Sequence, residues 1–255
     1  ELNTKHIDSV FHLAILYKKK GLIDKAITEF KKVVSTNTSN VTAYYYLGCC
    51  YEEKGVTANA KKEFGCAIKT DPQHVSSLYR LGVIDMKNGD DKDAASHFKA
   101  ILKIDTKNYD AHYNLGLLYY KEEKYDEAIT EYKEALDTKK DNADIYYNMG
   151  LAYFKKKLYE DAISTLKSAL KIENKHVEAL HELGNSYHSI GNYEKAISLF
   201  NKVLTLNPDN AFCYFNLGNA YRADKKRNEA HTAYKKALEI NPDYAEAWNA
   251  LGIIC

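Results

Sequence analysis

The sequence predicts an all-α fold in which one helix pair is repeated along the chain. Three observations carry that prediction: a glycine with a fixed period, apolar residues at helical spacing around it, and turn formers closing each period. Gly48, Gly82, Gly116, Gly150, Gly184, Gly218 and Gly252 stand 34 residues apart, and one period before Gly48 lies Ala14. A glycine inside a helix costs roughly 1 kcal/mol against alanine. A cost repeated in register predicts a geometric cause, a neighbouring helix that crosses too close for a side chain.

The first helix of each period surrounds that glycine. A bulky apolar residue precedes it (Leu13, Leu47, Leu81, Leu115, Met149, Leu183, Leu217, Leu251), and a tyrosine follows three residues on (Tyr17, Tyr51, Tyr119, Tyr153, Tyr187, Tyr221). Asp85 breaks the tyrosine column. A carboxylate buried there needs a partner, and Arg80 or Lys87 is the expected one. The alternative is a locally rotated or frayed helix and a hinge. After a short polar stretch such as Lys20-Gly21 or Gly191-Asn192, the second helix carries an alanine twelve residues beyond the glycine (Ala26, Ala60, Ala94, Ala128, Ala162, Ala196, Ala230). That alanine is the expected counterpart of the glycine at the close crossing. A large apolar residue follows four positions later (Phe30, Phe64, Phe98, Tyr132, Leu166, Phe200, Tyr234), and Val33, Ala67, Ile101, Ala135, Ala169, Val203 or Ala237 three after that. Pro72, Pro208 and Pro242 end three of the second helices, because proline biases its predecessor away from the α region. Elsewhere Thr38-Ser39-Asn40, Thr106-Lys107-Asn108 and Lys140-Asp141-Asn142 supply the turn.

The pattern Leu-Gly-x2-Tyr, then Ala-x3-Phe/Tyr, then Pro resembles the tetratricopeptide repeat (TPR) family. The resemblance divides the chain into repeats 7–40, 41–74, 75–108, 109–142, 143–176, 177–210 and 211–244, with 245–255 opening an eighth. It implies a right-handed superhelix, an α-solenoid of antiparallel helix pairs whose first helices line a concave groove. The chain begins at Glu1 and stops at Cys255, and Trp248, Leu251, Ile253 and Ile254 lack a following helix to cover them. Solenoids need polar caps, so a piece of a longer protein is expected.

Charge and composition narrow the partners. With 36 basic and 35 acidic residues the formal net charge is +1, which gives no bulk field for nucleic acid or an anionic membrane. The lysine runs 18–20 and 155–157 suit the carboxyl ends of helices. No apolar run is long enough to span a bilayer, and the amino end has no secretory core. The cysteines, Cys49, Cys50, Cys66, Cys213 and Cys255, are odd in number and form no C-x-x-C. Cys50, Cys66 and Cys213 fall near packing positions. A reduced, intracellular and cytoplasmic setting is expected.

The family resemblance places the second, fifth, sixth, ninth and twelfth residues of each repeat in the groove. Repeats 3 to 5 then present Tyr79, Tyr113, Tyr120, Tyr147 and Phe154, an aromatic floor for a helical or extended segment. The same tyrosines have an alternative use in packing successive helices. Repeats 6 and 7 present His181, Asn185, His188, Phe215, Asn219 and Arg222. The sixth position holds Asn114, Asn148 and Asn216, and a row of amides can pair with a peptide main chain. TPR arms of the O-linked N-acetylglucosamine transferase type look similar in this respect, although His12, Tyr46, Arg80 and Glu182 interrupt the row here. The carboxylate clamp of chaperone-binding TPR modules is not expected: its lysine and both third-repeat cations are missing, and Glu246 would repel a carboxylate.

His181 and His188 are seven residues apart, about 10 Å along a helix and too far for one zinc ion. With Glu178 they read as a polar, pH-sensitive wall. No phosphate loop, metal cluster or nucleophile motif is present, so no catalytic residue or cofactor is expected. The reading is a non-catalytic scaffold that holds a segment of a partner protein in the groove, as part of a multiprotein complex. Two alternatives stay open: the substrate-recruiting arm of a larger enzyme such as an O-linked N-acetylglucosamine transferase, and a structural subunit that binds through its convex face or ends.

Overall fold

A computed structural model describes the backbone of residues 2–254 and the side chains of residues 6–253; Cys255 and the side chain of Ile254 lie outside the described residues. Among the described residues the regular structure is fifteen α-helices and no strand. They are α1 (Leu2–Lys19), α2 (Ile23–Thr36), α3 (Val41–Glu53), α4 (Thr57–Thr70), α5 (Val75–Asn88), α6 (Asp91–Ile104), α7 (Tyr109–Lys121), α8 (Tyr125–Thr138), α9 (Ala143–Lys155), α10 (Tyr159–Ile172), α11 (Val177–Ser189), α12 (Tyr193–Leu206), α13 (Ala211–Ala223), α14 (Arg227–Ile240) and α15 (Ala245–Ile254). From α3 onward the odd-numbered helices start one period apart. The chain forms two compact units, one reaching to Leu118 and the other beginning at Tyr119. In the first, α1 packs on α2, α3 on α4 and α5 on α6; in the second the pairs are α9 with α10, α11 with α12, and α13 with α14.

Each helix boundary has a local cause that recurs. The residue before each odd-numbered helix from α3 to α13 caps it with its side chain: Asn40, Asn142 and Asn210 accept the N–H groups of Ala43, Ile145 and Cys213, Asn108 accepts that of Ala111, and the Nδ1 atoms of His74 and His176 accept those of Ser77 and Ala179. Each acceptor satisfies one otherwise orphaned donor of a first turn. The odd-numbered helices close on a left-handed residue. Gly21, Gly55, Gly89 and Gly191 take φ of 72–82°, and at the same register Glu123, Lys157 and Lys225 are forced to φ of 60–62°. Asp71, Asn207 and Asn241, the residues before the prolines, are the extended C-caps of α4, α12 and α14.

The recurring glycine does sit at a close crossing, but the alanine is not what fills it. A Cβ built on Gly48, Gly82, Gly184 or Gly218 would come within 2.5–2.8 Å of the ring of Phe64, Phe98, Phe200 or Tyr234, and on Gly150 within 2.8 Å of Leu166. The residue sixteen positions on, not twelve, lies over the glycine. These side chains are at most 1% exposed. The alanines of the second helices are wholly buried as well and belong to the same cores.

Asp85 also departs from expectation. It is fully buried, and its partners are Lys61 of α4, at 2.7 Å from Oδ1, and His97 of α6, at 3.3 Å from Oδ2, rather than Arg80 or Lys87. Arg80 turns instead to Glu52 at 3.3 Å. Helix α5 runs unbroken through the position, neither frayed nor interrupted. Lys61 occupies the register that holds Ile27, Ile129, Ile163 and Ile197 in four other repeats, and Asp85 the register that holds a tyrosine in six, so an ion pair stands at positions that those repeats fill with isoleucine and tyrosine. In the lysine runs, Lys18 pairs with Glu53 and Lys156 with Asp126. Cys49, Cys50 and Cys213 are buried and Cys66 only partly so; burial pushes the thiols of Cys50 and Cys213 up to about 12.

Candidate functional site

The predicted groove residues divide between the two units. Tyr79, Tyr113 and Asn114 belong to the first, where all three are half-buried. The Tyr79 ring stands 6.3 Å from Phe98, and its hydroxyl shares a hydrogen bond with the Asn114 side chain. Asn114 Nδ2 also donates to the carbonyl of Asp110 at 2.7 Å. The Tyr113 ring stacks on Tyr109 at 6.5 Å.

In the second unit the fifth-position rings pack inward, His181 buried and Tyr147 and Phe215 half-buried. Tyr147 lies 5.1 Å from His176, His181 lies between Phe200 (5.5 Å) and Phe212 (5.2 Å), and Phe215 lies between Tyr234 (5.9 Å) and Tyr244 (5.1 Å). The twelfth-position residues form a second series. Tyr120 meets Tyr125, Phe154 meets Tyr159 and His188 meets Tyr193, each at 5.4–5.5 Å. Tyr125, Tyr159 and Tyr193 open helices α8, α10 and α12. The periodic residues singled out from the sequence do not include these tyrosines, yet they too stand 34 residues apart.

The amides form a linked cluster rather than an open row. Asn216 Nδ2 donates to His181 Nε2 at 3.0 Å and lies 3.4 Å from Asn185 Oδ1, while Asn185 Nδ2 donates to Glu182 Oε2 at 3.2 Å. Asn219 Oδ1 accepts the hydroxyl of Tyr234 at 2.8 Å and faces inward. Asn148 is half-buried on α9. Glu182, which interrupts the row in sequence, is thus held by it in space.

His181 and Glu178 come together, but His188 does not join them. A cavity of about 190 Å³ is lined by Tyr147, Glu178, His181, Glu182, Asn210 and Phe212, among others. Phe212, on the second register of its repeat, is 54% exposed and was not singled out from the sequence, since that register is polar elsewhere. Burial above all, then Glu182 and Glu178, pushes the Tyr147 phenol up to about 12. Burial, then Tyr125 and Glu182, also raises Tyr120. His188 sits apart beside Tyr193; burial lowers its pKa, a hydrogen bond with the Asn219 backbone opposes that, and Arg222 reinforces it. Arg222 itself is exposed. Among the described residues no group of three or more His, Cys, Asp or Glu side chains is placed to hold a metal ion, and no helix is long and apolar enough to cross a membrane.

Comparisons with known proteins agree with this architecture. Family models described as "Tetratricopeptide repeat" match residues 7–40, 42–74, 85–131, 141–209, 176–243 and 233–255, and one described as "TPR repeat" matches 118–157. No curated protein matches the chain. Among solved structures, the MamA protein is 28% identical, with 68% of this chain and 94% of that one covered and a TM-score of 0.63. YrrB, described as a TPR protein with an unusual peptide-binding site, is 24% identical over 73% of this chain and 96% of its own, with a TM-score of 0.66. The C-terminal part of a TPR repeat-containing protein from Cytophaga hutchinsonii is 20% identical over 94% and 99%, with a TM-score of 0.74. The last two, at these identities, bear on the fold alone. The repeated helix pairs, the filled glycine crossings and these matches make the chain a member of the tetratricopeptide repeat family, with an all-α solenoid fold.

Proposed function

We propose that this chain is a non-catalytic interaction scaffold whose odd-numbered helices, in the seven repeats read from the sequence, hold an extended or helical segment of a partner protein. The observation that carries this is the cavity beside Tyr147, His181 and Phe212, where an exposed phenylalanine borders buried, hydrogen-bonded polar groups. Burial for affinity and polar groups for register are what peptide recognition requires. The test is affinity capture from a cell extract with the parent chain and with Phe212→Ala/Asn216→Ala, once equal helicity and thermal stability are established. A partner held by the parent and lost by the variant supports the reading; identical partners on both refute it.

A second reading has its own observation. A larger cavity of about 340 Å³ lies between α13 and α14, lined by Tyr214, Leu217, Tyr221, Thr232, Ala233 and Lys236, none at a groove register. It supports docking on the other face, as in a structural subunit of an assembly. Partners retained by the first variant and lost on Tyr214→Ala would favour it.

A further inference from the structure

We propose that the cavity between Tyr147 and Phe212 takes the cationic side chain, arginine or lysine, of a partner segment. This rests on the groove reading above and names the chemistry of one of its contacts. The cavity brings two aromatic rings and two carboxylates together: Tyr147 of α9, Phe212 of α13, and Glu178 and Glu182 of α11, the Glu178 side chain 66% exposed. A flat cation gains from ring faces and from carboxylates at once, and arginine does so best.

The carboxylates have no cation of their own. No lysine or arginine forms an ion pair with Glu178 or Glu182 among the described residues. His176 Nδ1 stands 3.3 Å from Glu178 Oε2, but that nitrogen is already the acceptor for the Ala179 N–H at 3.2 Å. The other ring nitrogen, Nε2, faces Asp144 Oδ1 at 3.3 Å. His181 Nε2 lies 3.0 Å from Asn216 Nδ2, and its Nδ1 lies 3.4 Å from Asn185 Nδ2 and 3.5 Å from Glu182 Oε1. Glu182 is mostly buried, its side chain 20% exposed, and is aimed by Asn185. Burial first, and after it Glu182 and Glu178, raise the Tyr147 phenol. An anionic group would meet the two carboxylates as repulsion, and a neutral apolar one would cover them without balancing their charge.

The test is selection of extended peptides from an unbiased displayed library on the purified 255-residue chain, followed by fluorescence anisotropy with the recovered peptides. The expected result is a basic residue enriched at one register. Affinity should then fall about tenfold on Glu178→Gln/Glu182→Gln, the loss of one charge-assisted contact. In the recovered peptide, exchanging arginine for lysine should retain binding and exchanging it for citrulline should lose it. Far-UV circular dichroism and a thermal melt establish that the glutamine variant is folded. Peptides lost on Phe212→Ala but without basic preference would overturn this inference and leave the groove reading standing. Peptides indifferent to Phe212→Ala, or none recovered, would overturn both.

Discussion

The close crossing of α11 and α12 makes a quantitative prediction through Gly184→Ala. A Cβ there would lie 2.7 Å from Phe200 Cε1 and 3.0 Å from two further ring atoms. Ordinary carbon contacts are ~3.5–4.0 Å, so the methyl overlaps the ring by more than half an ångström. Phe200 is 1% exposed and meets the His181 ring at 5.5 Å, which leaves it little room to yield. Overpacking of this kind costs about 1–3 kcal/mol, and replacing a helical glycine by alanine returns about 1 kcal/mol. The substitution should therefore destabilise the α11–α12 pair by about 1 kcal/mol net. In a Phe200→Ala background the obstacle is gone, and the same change should stabilise by about 1 kcal/mol, a coupling of about 2 kcal/mol. Amide hydrogen exchange across residues 177–206 is the suitable assay, because a solenoid opens locally and need not unfold in one step. Gly252→Ala, read by exchange across α15, is the internal control: among the described residues nothing lies within 4 Å of its Cβ position, so it should only gain. A stabilising Gly184→Ala in the parent, or the same effect in both backgrounds, would refute the steric account.

Three further outcomes follow from the structure. Lys157 is held at φ 62°, a conformation that costs a residue with a Cβ about 1 kcal/mol, so Lys157→Gly should raise the urea midpoint while Gly191→Ala lowers it. Lys61→Met should destabilise by about 1–3 kcal/mol, below the usual cost of breaking a buried pair because Lys61 is 39% exposed, whereas Lys61→Ile with Asp85→Tyr, which restores the columns, should be neutral or stabilising in a thermal melt. Burial first of all lowers the pKa values of His97 and His188 in the fold, so the unfolded chain binds more protons once pH drops below the ordinary histidine value. Stability should therefore decline as pH falls through about 6.5, and His188→Gln should flatten that decline in pH-resolved melts.

What the sequence discloses and what it hides here have one cause. The glycine crossings were legible because a penalty repeated in register has few explanations. Which residue lay across from the glycine was not, since Ala196 and Phe200 repeat equally well and only the distance between helices decides that the ring reaches Gly184. The cap series, Asn40 to Asn210 with His74 and His176 among them, was hidden by its mixed chemistry: imidazole and amide share the acceptor function without sharing a letter. Asp85 was conspicuous, but its partner lies on the previous helix, and the clue was Lys61 at a register that holds isoleucine in four of the other repeats. The site follows the same logic. Residues that obey the period, such as Tyr147, are committed to packing, and their binding role cannot be separated from it by pattern alone. Glu182 in an asparagine register, His181 in an aromatic one and Phe212 in a polar one each depart from the period. In space, those three departures line one cavity. Departures that serve packing alone would be compensated by a local partner, as Asp85 is by Lys61. Among the described residues no lysine or arginine pairs with Glu178 or Glu182, which is the physical ground for seeking that cation in a partner.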